Sequence, residues 1–232
     1  MVALSSEPRF YFSLRSPYSW LALHDLVTRF PDIALTARWR PFWEPDARSA
    51  AALRDRGGDF PYAPMSRAKH LYVLQDVKRL AAERGLVPAW PVDRDPVWEV
   101  PHLAYLVAER AGASREFVAA VTAARWERGL DICDPAVVGA AAAEVGVDPT
   151  AAAGAGEDPD LRAEGVERLL DVCSDGVFGV PYFRRGRARF WGVDRLPAFA
   201  AHVRARSPQP GPDPGQPLAG GLVDGGHAGG CG

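Results

Sequence analysis

The first forty residues change hydrophobic period twice. Arg9-Phe10-Tyr11-Phe12-Ser13-Leu14 is a short apolar, aromatic-rich run ending at a Ser-Pro turn signal, the pattern of a buried strand. From Tyr18 to Phe30 the apolar residues Trp20, Leu23, Leu26, Val27 and Phe30 recur three or four apart, so one face of a helix is apolar. Ser16 precedes that helix, and Pro17 suits its first turn, where a missing N–H leaves nothing unpaired. Ile33, Leu35, Ala37 and Trp39 then alternate with smaller or polar neighbours, which predicts a second strand over 33–39. Strand, helix and strand in this order form a β-α-β unit with parallel strands and a right-handed crossover.

Residues 40–65 carry Pro41, Pro45, Pro61, Pro64 and the pair Gly57-Gly58 and read as a long irregular loop, of the kind that is functional or mobile. From Ser66 the period is helical again: Leu71, Leu74, Val77, Leu80 and Ala81 share a face, and Gly85 ends it. Further helices are predicted at 98–111, 114–128, 134–145 and 158–174, separated by Gly112, Gly129 and the Gly-rich stretch 154–156. Val180 to Arg184 and Ala188 to Trp191 flank Arg185-Gly186-Arg187 as a hairpin. Asp194 is placed to cap a last helix running to about Arg206, with Leu196, Phe199, Ala200 and Val203 facing inward. From Ser207 onward, 14 of 26 residues are Gly or Pro and little is left to bury, so 207–232 is expected to be a disordered tail. The order β-α-β, helices, β-β-α predicts an α/β fold, a four-stranded mixed sheet interrupted by a large helical insertion. Residues 9–65 and 175–206 would form the sheet domain and 66–174 the insertion.

Composition narrows the function. With 232 residues, 47% of them hydrophobic, the chain can bury a sizeable core. A formal net charge of −2 argues against nucleic acid or an anionic membrane as partner, and no apolar run approaches the roughly 18 residues of a membrane span. The start, Met1 to Pro8, has no basic segment followed by an apolar stretch, so a cytoplasmic protein is expected. Cys133, Cys173 and Cys231 are odd in number and contain no C-x-x-C, which disfavours a disulfide framework, a dithiol pair and a metal site. Lys69 and Lys78 are the only lysines, a bias that suggests a GC-rich genome.

Three short segments carry candidate chemistry. Ser16-Pro17-Tyr18-Ser19 sits where a strand becomes a helix, beside the first unpaired N–H groups, a place that stabilises a thiolate or carboxylate. The same Ser16 is equally an ordinary N-cap, worth about 1 kcal/mol. Gly179-Val180-Pro181 opens a strand; a cis Val180–Pro181 bond would leave the Val180 backbone open to a ligand, whereas a trans proline at a strand's first residue needs no function. Gly192-Val193-Asp194-Arg195 puts an acid and free backbone N–H groups at another helix start, either a capping aspartate or a seat for an amino-acid-like group.

Taken together, "FYFSLRSPYSWLAL", "RAKHLYVLQDVKRLA" and "GVFGVPYFRRGRARFWGVDRL" resemble the 2-hydroxychromene-2-carboxylate isomerase family. That family is related to kappa-class glutathione transferases and, more remotely, to DsbA-like disulfide oxidoreductases. The resemblance spans about residues 9–205 and implies a thioredoxin-like fold and, since family members are often dimers, a homodimer. It implies that Ser16 is the catalytic serine contacting the sulfur of glutathione or another low-molecular-weight thiol. Val180, before Pro181, would pair with the cysteinyl unit, Asp194 with the Val193 N–H would grip the γ-glutamyl end, and Lys69 would meet a carboxylate. Redox relatives carry C-P-x-C where this chain has Ser16-Pro17-Tyr18-Ser19, so disulfide exchange at this site is excluded. The implied activity is cis/trans isomerisation of a conjugated, carbonyl-activated double bond in an aromatic or polyene substrate. A flat substrate calls for an aromatic cleft, for which Tyr18, Trp39, Trp43, Tyr62, Trp90 and Trp98 are candidates, with Arg40 and His102 as carboxylate or enolate partners. A glutathione transferase, a cofactor-free isomerase working through Lys69 or Ser16, and a catalytically silent thioredoxin-fold binding protein remain open alternatives.

Overall fold

A computed structural model describes residues 7–61 and 65–206; the expected tail at 207–232 and the pocket candidate Tyr62 lie outside them. Strand β1 (Arg9–Phe12) leads into α1 (Pro17–Arg29), a short α2 (Pro31–Thr36) and β2 (Arg38–Pro41). Six helices follow: α3 (Ala47–Asp55), α4 (Arg67–Ala82), α5 (Glu99–Arg110), α6 (Ser114–Trp126), α7 (Pro135–Glu144) and α8 (Pro149–Gly154). Then come α9 (Pro159–Ser174), the hairpin β3 (Tyr182–Arg185) and β4 (Ala188–Trp191), a 3-10 turn at Val193–Arg195 and α10 (Leu196–Arg204). The sheet order is β2-β1-β3-β4, with β1 parallel to β2 and antiparallel to β3, and β3 antiparallel to β4. The β-α-β and β-β-α halves thus meet in one mixed sheet, as expected.

Five local expectations fail, each for a physical reason. The predicted strand over 33–39 starts as a helix: Pro31 sets the first turn, Asp32 sits at the positive end, and only Arg38–Pro41 is strand. Ile33 and Ala34 are both buried while Leu35 is exposed, so the apparent alternation was one helical stripe. The irregular 40–65 segment contains α3, nucleated where the Asp46 carboxylate accepts the Ser49 N–H at 2.8 Å. The Gly-rich 154–156 stretch ends α8, which is capped by Asp148. Val27, assigned to the apolar face of α1, is exposed. Asp194 caps nothing: it lies inside the 3-10 turn, and α10 starts without a side-chain cap.

The sheet has two unlike faces. One is aromatic: Phe10 stacks on Phe183 at 5.1 Å and meets Trp39 edge-on at 5.5 Å, and Phe199 of α10 covers Phe183. Rings in these geometries add roughly 1 kcal/mol per pair beyond the area they bury. The other face is cationic. Arg38, Arg9, Arg184 and Arg189 stand in register across all four strands, an arrangement of like charges that repels. Carboxylates offset it: Glu7 lies 3.6 Å from Arg38, and Asp175, just beyond α9, receives Arg9, Arg184 and the Tyr11 hydroxyl. Burial and this carboxylate push the Tyr11 pKa up, so the phenol stays a donor. Removing one partner of a buried ion cluster leaves the others uncompensated. Asp175→Asn is therefore expected to cost about 3 kcal/mol, read as a lowered denaturant midpoint; a loss within experimental error would show that the arginine row needs no counterion.

Candidate active site

The turn from β1 into α1 is held by a mesh of short-range hydrogen bonds. The Ser16 N–H donates to the Ser13 carbonyl at 3.0 Å, and the Ser13 N–H donates to Ser19 Oγ at 3.2 Å. Ser13 Oγ accepts the Arg15 N–H at 3.3 Å, and Ser16 Oγ accepts the Ser19 N–H at 3.2 Å. Ser16 is thus the N-cap of α1, as its place before Pro17 implies, and α1 has no acidic residue in its first turn to neutralise its positive end. The cap uses one lone pair of Ser16 Oγ and leaves the O–H free to donate.

Above this turn lies a cleft of about 340 Å³. Ser13, Arg15, Ser16 and Tyr18 form its floor, and Lys69 and Val73 of α4 one side. Trp43, Phe60 and Met65 line a second side, and Phe178, Gly179, Val180 and Trp191 face them. The Val180–Pro181 bond is cis, and the Pro181 carbonyl accepts the Gly192 N–H at 3.0 Å, tying this bend to the end of β4. Among the described residues, neither the N–H nor the carbonyl of Val180 has a hydrogen-bond partner. Phe178 and Trp191 are 56% and 54% exposed and pack edge-to-face at 5.1 Å, so the mouth offers apolar surface that no described residue covers. The Arg15 guanidinium bonds Glu44 at 2.8 Å, whereas Lys69 has no ion-pair partner among the described residues. Tyr18 donates to Asp76 at 2.8 Å, and burial together with Asp76 pushes its pKa up, so it is not an acid for the cleft.

Of the residues singled out from sequence, Ser16, Tyr18, Trp43, Lys69 and Val180 converge on the cleft. Pro181, Val193 and Asp194 do not line it. Val193 is buried, and Asp194 is exposed, 3.4 Å from its neighbour Arg195, in a turn that packs beside α1. Gly192 enters that turn at φ 106°, where a Cβ would fall 2.6 Å from the Asp194 carboxylate, so only glycine fits. Four pocket candidates are core residues instead. Trp39 lies on the aromatic sheet face and donates to the Ala34 carbonyl. Arg40 lies on the opposite face, 3.7 Å from Asp171. Trp98 is sandwiched between the Arg15 and Arg125 guanidinia, each 5.1 Å from its ring. His102 is wholly buried behind Trp43, whose ring stacks on it at 5.4 Å. Trp90 is half-exposed on Trp126, away from the cleft. Sequence reading missed Phe178 and Trp191; strand parity signals Trp191, because Phe190 turns inward and its neighbour must turn out.

Residues 9–204 match the DSBA-like thioredoxin domain. The chain belongs to that family. It is 29% identical over 202 residues to the 2-hydroxychromene-2-carboxylate isomerase of Sphingobium xenophagum, covering 84% of this chain and 96% of that protein. A structure of 2-hydroxychromene-2-carboxylate isomerase superposes with a TM-score of 0.67 at 24% identity, over 85% of this chain and 94% of the other. The cytosolic disulfide reductase DsbM from Pseudomonas aeruginosa, in a structure with GSH, shares the fold at a TM-score of 0.55 and 17% identity, over 85% and 95%. Within this DsbA-like chain the strand-to-helix junction carries serines at 16 and 19, and its described cysteines lie elsewhere. The Cys173 thiol donates to the Asp59 carbonyl at 3.1 Å, and burial pushes the Cys133 thiol up to about 12.

Capping and chemistry at Ser16 separate by substitution. Ser16→Ala is expected to destabilise by about 1 kcal/mol and Ser16→Asp, which keeps an acceptor, to be close to neutral, both read by chemical denaturation. Equal losses in the two variants would mean that α1 does not depend on this cap.

Proposed function

We propose that this protein is a cis–trans isomerase of the 2-hydroxychromene-2-carboxylate isomerase kind, acting with glutathione or a similar thiol on a conjugated, carbonyl-activated double bond. The observation that carries the reading is the convergence of a free hydroxyl donor, an uncompensated helix N-terminus and an unpartnered peptide unit at Val180 in one aromatic-mouthed cleft. The overall likeness to the Sphingobium xenophagum isomerase supports it, and so does the GSH carried by the DsbM relative.

The residues fit a thiol. Ser16 and the α1 N-terminus suit a sulfur anion, and Val180 a cysteinyl amide. Asp194, beyond Gly192 and exposed, would meet an ammonium in competition with Arg195, 3.4 Å away. When bound, the thiol supplies a sulfur that adds reversibly to the electron-poor carbon, so that the double bond rotates as a single bond. The chain itself does the rest. The α1 N-terminus and the Ser16 hydroxyl lower the proton affinity of an anion held there. Lys69 holds the substrate carboxylate, and the Phe178–Trp191 pair orients a flat apolar body. In this reading residues 9–65 and 175–206 hold the thiol, the helical block 66–174 closes the cleft through α4, and the enzyme works as a cytoplasmic homodimer.

The closing measurements use the full chain. Glutathione is expected to raise the melting temperature, because a ligand that binds only the native state stabilises it. With 2-hydroxychromene-2-carboxylate as substrate, Ser16→Ala is expected to lower thiol-dependent turnover at least tenfold, more than its small stability loss accounts for. No melting shift with glutathione or mycothiol, together with turnover that ignores added thiol, defeats the thiol reading. Lys69→Ala is expected to raise KM for carboxylate substrates about tenfold, one lost charge-assisted bond, with little change in kcat. An unchanged KM would remove Lys69 from substrate binding.

A further inference from the structure

His102 does not reach the cleft, yet it touches the turn that does. Its Nε2 accepts the Leu14 N–H at 3.1 Å and lies 3.4 Å from Ser13 Oγ. A nitrogen that accepts carries no proton, so the proton is on Nδ1, which donates to the Trp98 carbonyl at 2.7 Å. The ring is 0% exposed and stacks at 5.4 Å and 16° on Trp43, which lines the cleft. Leu14 is the residue between Ser13 and Arg15, both of which line the cleft, and it stands two before Ser16.

We propose that His102 is a positioning residue: from α5 it fixes the Ser13–Ser16 turn, and hence the direction of the Ser16 hydroxyl, by accepting the Leu14 N–H. This inference rests on Ser16 being the group that meets the reacting thiol. The helix is built for the task. Trp98, His102 and Tyr105 stand at four- and three-residue steps on one face of α5, and each reaches the β-α-β half: Trp98 stacks under Arg15, His102 holds Leu14, and Tyr105 donates to the Trp39 carbonyl at 3.2 Å.

Local bonds alone leave the turn under-determined. Ser13, Ser16 and Ser19 bond one another, but all lie within six residues of chain and move together. The His102 bond spans 88 residues and, among the described residues, is the backbone hydrogen bond that ties this mesh to the helical block, beside the Arg15–Trp98 stack. An imidazolium would place a donor against a donor, so the clamp requires a neutral ring. The charged groups acting on it favour that form: Arg15 from the turn and Arg125 from α6 are both cations. Glu99, one turn earlier on α5, gives its carboxylate to the Asp46 N–H, and Trp43 and Ser13 bring no charge. Burial, aided by the two arginines, pushes the ring down to about 3, so the acceptor persists across the neutral range and is lost only as pH falls toward that value.

The test is amide hydrogen exchange by NMR on the full chain. It compares Leu14, Ser16 and Ser19 with Val121 of α6 in the parent, His102→Phe and His102→Gln. Phenylalanine fills the site but accepts nothing; glutamine can offer Oε1 where Nε2 stood. In His102→Phe the three turn amides are expected to exchange at least tenfold faster than any change at Val121 explains. His102→Gln should recover Leu14 protection. If the turn amides and Val121 accelerate equally in His102→Phe, the residue is only a core filler and the proposal falls. Glutathione provides the functional arm. Should glutathione raise the melting temperature of the parent, the shift is expected to shrink in His102→Phe, and a full shift there would also overturn positioning. Should it shift neither protein, glutathione is not the thiol this cleft holds, while the exchange data still decide whether the clamp exists.

Discussion

A helix that begins inside a protein leaves its first N–H groups without partners, and the cleft of this protein is organised by how α1 meets that constraint. A hydroxyl cap, rather than a carboxylate, satisfies part of the need and leaves the positive end of the helix unneutralised. A proline at the first helical position removes one orphan donor outright. What remains is a donor-rich corner facing a cleft. Such a corner favours an anion of any kind, and in the proposed function selectivity comes from the walls: the Val180 peptide unit, the Lys69 ammonium and an aromatic mouth.

The sheet can hold that corner still because its two faces do different work. The aromatic face packs against α10 and buries rings that lock into each other, a source of stability that does not depend on charge. On the cationic face, repulsion between Arg9 and Arg184 is offset by a carboxylate they share at the exit of α9. Asp175 therefore links the end of the helical block to β1 and β3 at once, from the opposite side of the sheet to α10. With His102 at the top of β1 and Asp175 beneath it, the central strand is gripped by the helical block on both sides.

Much of this was legible in the chain. The β-α-β opening, the hairpin and α4 to α7 follow from period and from glycine stops, because these elements bury one continuous stripe. Ser16 could be placed at a helix start from Ser-Pro alone. The errors cluster where one pattern has two solutions: Ile33 to Trp39 alternates as a strand would, but Pro31 and Asp32 favour a helical turn. Residues 40–65 look irregular because their prolines flank α3 rather than interrupt it. The pocket residues were the least legible. Trp39, Trp98, Arg40 and His102 share composition with cleft residues, and nothing local says which face of a sheet or helix meets solvent. Phe178 and Trp191, both exposed, become cleft walls only because the fold brings them to one cleft with Lys69 and Val73 of α4.

The choice of cation at the cleft is informative about the substrate. Arg15 is nearer to Ser16 in sequence and has more donors, yet its guanidinium is already bonded to Glu44 and stacked on Trp98. A carboxylate arriving there would have to displace Glu44 and would gain little. Lys69 has no such competitor among the described residues and sits at the end of a long flexible stem on α4. Under the proposed isomerisation, a compact ammonium on a long stem suits a ligand whose carboxylate moves while its body turns about a former double bond. The polarity of the cleft is consistent with the proposed substrate, a flat, apolar acid that changes shape while bound.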